Sequence, residues 1–266
     1  MIRRALAVRF DGVETTGRNK PLRVAVVTLD DLKVHDTFLK PSGRKEVGIE
    51  GMANEALAGM LARRLGLPAC EPFLVEITPQ FIESIKAPDV ASLLRASSPI
   101  CFACEDAGSQ WAIWTAGESL LSDRVPMALA ITAFDAWIEN PDRGPSGKPN
   151  LLVRGDQFRI IDHEMALRLG MLLSAPEPWK QGYLAMLVQP PSHVLAIKLK
   201  RFSGLDFGPI KAAWAALSDR ELDAYVAALP PEWASAAPAM ARAITHIKEV
   251  RDRIDECIAE LSRVLR

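Results

Sequence analysis

The chain has 266 residues, with 32 Lys and Arg against 33 Asp and Glu, for a formal net charge of −1. Apolar residues make up 49% and charged residues 24%, a balance that allows a sizeable core and excludes a largely disordered chain. Near-neutral charge excludes a broad nucleic-acid binder held by surplus Lys and Arg.

At ~150 residues per domain, the length fits two small domains or one bilobed unit. The start carries two arginines but no apolar run long enough for a signal peptide. The most apolar stretch, 125–134, stops at Asp135, short of the ~18 residues a spanning helix needs. A cytoplasmic setting with no membrane partner is expected. Cys101 and Cys104 have C-x-x-C spacing, but His35, His163, His193 and His246 stand singly. A structural zinc needs four ligands, so buried strand thiols are the expected reading.

In chain order, apolar runs predict strands at 5–10, 22–29 and 37–39. A polar, turn-rich loop separates the first two, and a Gly-bearing loop spans 41–51. A helix is predicted over 52–65, ended by Gly66 and Pro68. Another strand follows at 73–77, and 100–103 with 111–114 is expected to form a hairpin. From 125 to 139 the pattern is helical, followed by a Pro- and Gly-rich loop over 140–149. Two short strands, 151–153 and 158–161, flank a turn, and the remainder is helical with breaks at prolines. Residues 240–266 read as an amphipathic helix packed on its own part of the chain, and Trp111, Trp114 and Trp137 as core. Strands thus dominate the first part and helices the rest, an α+β, two-lobed pattern dividing near Gly117.

The chemistry concentrates around the second hairpin. Polar residues cluster at the ends of its apolar strands and draw Asp142, Asn150 and Asp162 to one edge. Phosphoryl transfer needs such a set: one carboxylate to orient the attacking hydroxyl, and an Asn and a second Asp to hold Mg²⁺. The plain alternative is a helix–loop–hairpin whose Asp and Asn residues make turns. Earlier in the chain, Lys40 ends a predicted strand and Glu55 lies near the start of the next helix, fifteen residues on. On a helical wheel Glu55 lies about 160° from Leu57 and about 20° from Ala62. Glu55 therefore shares a small-residue stripe with Gly59 and Ala62, where it can face the sheet and pair with Lys40. The alternative is a solvated lysine and a first-turn glutamate favoured by the helix dipole.

Taken in order, residues 17–21, Phe38-Leu39-Lys40, Asn54-Glu55, 61–68, 134–143, Asn150-Leu151-Leu152-Val153 and Ile161-Asp162-His163 resemble the HipA-like kinases. The resemblance runs from about Thr16 to Leu167. It implies a bilobed protein-kinase-like fold, with a strand-rich nucleotide-binding lobe over 1–116 and a mainly helical catalytic lobe over 117–266 that embeds a metal-binding hairpin. It implies ATP and Mg²⁺ as cofactors and transfer of the γ-phosphoryl to a Ser or Thr hydroxyl of a protein not named by the sequence. By the same resemblance Lys40 contacts the α/β-phosphates, Glu55 positions it, and Asp142 is the catalytic carboxylate. Asn150 and Asp162 ligate Mg²⁺, and Thr15, Thr16, Gly17, Arg18 and Asn19 belong to the phosphate loop. A helix-turn-helix antitoxin is a partner by family analogy only.

Two departures stand out. Gly144 follows Asp142-Arg143 where the family usually has His. Asp142 and Asn150 are eight residues apart, where about five is usual in kinase catalytic loops. The competing readings are a nucleotide-binding regulator weakened in catalysis and a kinase for a small molecule or lipid headgroup.

Overall fold

The computed structural model describes residues 2–15, 20–44, 47–144, 148–171, 174–189 and 192–266. The first part is a closed five-stranded barrel built from β1 (Arg3–Val13), β2 (Leu22–Thr28), β3 (Val34–Lys40), β4 (Pro72–Glu76) and β5 (Ile100–Glu105). Its order is β1-β2-β3-β5-β4, closed by parallel pairing of β1 with β4. Closure removes free strand edges, and β3 ends against β5, with Lys40 opposite Phe102.

Helix α1 (Gly48–Arg64) interrupts the barrel between β3 and β4. Every residue from Gly51 to Ala62 is buried, as expected for a helix apolar on both flanks. One side meets β4 and β5; the other meets the later helices α7 (Asp219–Ala227) and α8 (Ala237–Asp252). Between β4 and β5 lie two short helices, α2 (Pro79–Ser84) and α3 (Pro88–Arg95). Their prolines open the helices rather than break them: Pro lacks only an N–H that the first turn leaves unpaired anyway.

The expected hairpin of 100–103 with 111–114 does not form. β5 is fully occupied in the barrel between β3 and β4, while β6 (Ala112–Ile113) pairs with β7 (Leu151–Arg154). With β8 (Gln157–Ile160) these make a second, three-stranded sheet in the order β6-β7-β8. Ile160 also donates its N–H to the carbonyl of Pro68 at 3.0 Å, tying this sheet to the chain just after α1. That bond brings the residues after β8 under the end of β3.

Helix α4 (Val125–Trp137) precedes the second sheet, and α5 (Ala196–Leu199), α6 (Gly208–Ala215), α7, α8 and α9 (Ile254–Leu265) follow it. The C-terminal segment is thus two helices, broken at Arg253 (φ −110°, ψ 29°). Its apolar face packs inward, with Met240, Ile244, Ile247, Ile254, Leu261 and Leu265 all buried. Trp114 and Trp137 are core residues, but Trp111 is half-buried, its ring about 5 Å from the guanidinium carbons of Arg154 and Arg159. Cys101 and Cys104 both lie on β5 as free thiols, and burial raises both, Cys101 to about 12. Among the described residues no helix is long and apolar enough to cross a membrane.

Candidate active site

The end of β3, the second turn of α1 and the chain after β8 meet at one buried ammonium. Lys40 Nζ donates to Glu55 Oε1, to Asp162 Oδ1 and, at 3.2 Å, to Glu164 Oε2. Lys40 is 5% exposed and Glu55 3%, so the charges interact with little screening by water. The helical wheel turned Glu55 toward the sheet, and there it meets Lys40. Glu164 was not anticipated.

One cation serving three carboxylates separates their acidities. Burial works against a charged Lys40, but Asp162, Glu55 and Glu164 together hold it well above the ordinary lysine value. Burial pushes Glu55 to about 7 against the pull of Lys40, and it likewise raises Glu164. Asp162 also feels burial, yet the charge and hydrogen bond of Lys40 outweigh it and hold Asp162 low. Carboxylate oxygens of Glu55, Asp162 and Glu164 all lie within 4.8 Å of one another.

Asp142 and Asn150 form the second half of the site. Asn150 Nδ2 donates to Asp142 Oδ2 at 2.8 Å, so the eight-residue spacing still returns Asn150 to its partner. That bond uses the side-chain nitrogen of Asn150 and leaves its side-chain oxygen Oδ1 for a cation. Asn150 (φ +52°) and Asp162 (φ +61°) both take the left-handed conformation, which Asn and Asp tolerate better than other non-glycine residues. The N–H of Ile161 donates to the Asn150 carbonyl at 3.1 Å, placing the two halves side by side. Lost hydration and the charge of Asp162 raise Asp142, with Asn150 and Arg143 opposing.

Beneath this loop lies a network of buried side chains. Arg143, 1% exposed, grips Asp135 of α4 with two N–H groups, Nε at 2.6 Å and Nη2 at 3.0 Å. Its Nη1 donates to the carbonyl of Asn150, so one guanidinium fixes both the helix and the hairpin. Asn140 Nδ2 donates to Asp135 Oδ1 at 2.6 Å. His193 lies 3.0 Å from Asp135 Oδ2 through Nε2, while its Nδ1 accepts N–H bonds from Leu195 and Ala196. Burial alone would raise Asp135, but Arg143 and His193 hold it below the usual carboxylate range. His163 accepts from Arg143 through Nε2 at 3.1 Å and stays neutral, driven down to about 3 by burial and then by Arg143. A lone Asp near the end of an apolar helix signals a buried cationic partner. Which cation it meets is not written in the spacing, and His193 is 58 residues away.

Lys40, Glu55 and Asp162 are therefore in contact, and Asp142 and Asn150 are in contact beside them. Thr16, Gly17, Arg18 and Asn19 lie outside the described residues, and Thr15 is exposed after β1.

Residues 38–172, half of the chain, match the family model described as HipA-like kinase. Among solved structures the chain is similar to the proinflammatory kinase CtkA of Helicobacter pylori, at 13% identity over 96% of each chain with a TM-score of 0.47. Comparison with curated proteins gives no match.

Proposed function

The chain belongs to the HipA-like kinase family, and from that premise we propose that it transfers the γ-phosphoryl of Mg·ATP to a Ser or Thr hydroxyl of a protein. One observation carries this reading: Lys40, Glu55 and Asp162, drawn from parts of the chain up to 122 residues apart, converge on one buried ammonium. A fold has no packing reason to bury a lysine with three carboxylates, since desolvating them costs several kcal/mol per ion by order of magnitude.

In this reading Lys40 holds the α/β-phosphates and Glu55 fixes the lysine. The residues that would hold Mg²⁺ are Asp162 and Asn150, whose free amide carbonyl suits an oxygen-seeking ion. When bound, the ion supplies charge neutralisation on the phosphates. Asp142, made a weaker acid by lost hydration and by the charge of Asp162 and held by Asn150, accepts the proton of the acceptor hydroxyl. The two-lobed division near 117 then sets the nucleotide between the barrel and the helices, and the cytoplasm supplies the ATP. A helix-turn-helix antitoxin stays a family analogy. The rival reading of a weakened regulator draws on the long 142–150 spacing and on Gly144; the 2.8 Å bond between Asp142 and Asn150 supports the active reading over it.

The test is ADP release from Mg·ATP by wild type and Asp142→Ala, each also assayed for ATP-dependent thermal stabilisation. Turnover is expected to fall about 10²–10⁴-fold in the variant, the usual share of a general base, with stabilisation retained. Equal turnover in the two proteins removes Asp142 from the chemistry.

A further inference from the structure

Beside the catalytic loop, on the side facing the later helices, lies a cavity of about 400 Å³ that phosphoryl transfer itself does not use. Its walls come from the end of α4, the loop 140–144 and the chain between 165 and 193. Ala136, Pro141, Met165, Leu184 and Leu187 make those walls largely apolar.

Set into this apolar wall is Glu139. Tyr183 donates its hydroxyl to Glu139 Oε2 at 3.2 Å. Glu139 Oε1 is buried and has no hydrogen-bond partner among the described residues. The residue is at φ +53°, a backbone state unfavourable for a glutamate that persists where the surroundings impose it. The other charges on the wall are matched. Asp135 is taken by Arg143 and His193. Arg168 donates through Nε to the Glu164 carbonyl, and its charge bears on the Glu164 carboxylate. Burial pushes Glu139 up to about 7, and only the Tyr183 hydrogen bond opposes it. Among the described residues no cation pairs with Glu139.

A half-satisfied carboxylate at the wall of an apolar cavity suits a cationic donor carried on an aliphatic stem. Lysine and arginine side chains have that build, with a methylene stem that packs on apolar surface and a charged head that needs a partner. The cavity also adjoins the chemistry: Pro141 and Arg143, the neighbours of Asp142 on either side, both line it. We propose that this cavity recognises the protein acceptor, taking a Lys or Arg side chain close in sequence to the phosphorylated Ser or Thr and pairing it with the Glu139 carboxylate. The acceptor role rests on the kinase reading above; the preference for a cation rests on the cavity alone.

Two probes, one with an aliphatic stem and a cationic head and one with the aliphatic stem alone, separate these. N-acetyl-arginine amide and N-acetyl-norleucine amide are titrated against the full chain by ligand-observed NMR, and Mg·ATP stabilisation is measured on the same sample. Wild type is expected to bind the arginine amide about tenfold more tightly, the scale of one charge-assisted hydrogen bond, and Glu139→Gln to bind both alike. Where ATP stabilisation is also seen, a Ser peptide with a nearby Arg is phosphorylated about tenfold faster than its norleucine counterpart. Equal binding of the two amides to wild type overturns the pocket, and this contrast depends on no variant's folding. Arginine preference without ATP stabilisation overturns the kinase reading and with it the acceptor role. ATP stabilisation without arginine preference overturns the pocket alone.

Discussion

Around Asp135 a single buried carboxylate meets Arg143, His193 and Asn140, whereas around Lys40 a single buried ammonium meets three carboxylates. Both clusters are buried, and His163 lies between them, 3.1 Å from Arg143 and 3.9 Å from Glu55. Their charge balance differs. The Asp135 network is satisfied donor by donor, and its members also hold backbone groups of the hairpin and of α5. The Lys40 cluster sets three carboxylates against one ammonium, and burial, with Asp162 adding to it, makes Glu55 and Glu164 weaker acids. A satisfied network holds a shape, while a surplus of one charge in a buried place marks a site that deals with the opposite charge.

Removing the guanidinium is the most direct way to break that comparison. Arg143→Met leaves Asp135 buried with His193 and the neutral amide of Asn140 but without its guanidinium, and the loss should be about 3–5 kcal/mol, read from urea denaturation. A loss below 1 kcal/mol would make the network ornamental. Lys40→Met should cost less, about 2 kcal/mol or below near pH 6, because Glu55 and Glu164 can take up protons once the ammonium is gone. The same variant should lose ATP-dependent thermal stabilisation.

The pH dependence of stability separates the two regions by sign. A carboxyl raised by folding, such as Glu55 from 4.5 to about 7, is protonated more fully in the folded chain. Its contribution is complete below about pH 4.5 and drains away as pH climbs through about 7. A depressed one, Asp135, contributes above its ordinary 3.8 and is lost as pH falls below it. Wild type should therefore lose about 1–2 kcal/mol between pH 5 and pH 8. Glu55→Gln should reduce that fall, and an unchanged slope would take Glu55 out of the account. The smallest effect is expected at His193→Ala, about 1 kcal/mol. It frees one bond to Asp135 and uncaps two N–H groups at α5, and thermal melting would register it.

Much of this was legible in the chain beforehand, for local reasons. Strand and helix periods in 22–29, 37–39, 52–65 and 125–139 place β2, β3, α1 and α4 nearly where they stand. The stripe of small residues around Glu55 turned it toward the barrel. Where the reading went astray, the cause was pairing at a distance. Nothing in Ile100-Cys101-Phe102 says that its partners are β3 and β4 rather than the next strand. The six-residue loop to β6 is short enough for a hairpin either way. Trp111 sits in an apolar pattern, and only the neighbouring β7–β8 hairpin supplies the two arginines that flank its ring.

Residue type and order by themselves determined the kinds of element, the α+β class and the five positions Lys40, Glu55, Asp142, Asn150 and Asp162 as a group worth watching. Those follow from local periodicity, capping and the scarcity of polar residues in apolar surroundings, all of which act within a few residues. The tertiary structure decided which charge meets which. Glu164 on Lys40, His193 on Asp135 and the lone oxygen of Glu139 depend on how distant segments close on one another. A buried charge is stabilised only by what lies a few ångströms away, and that distance is set by packing, not by position along the chain.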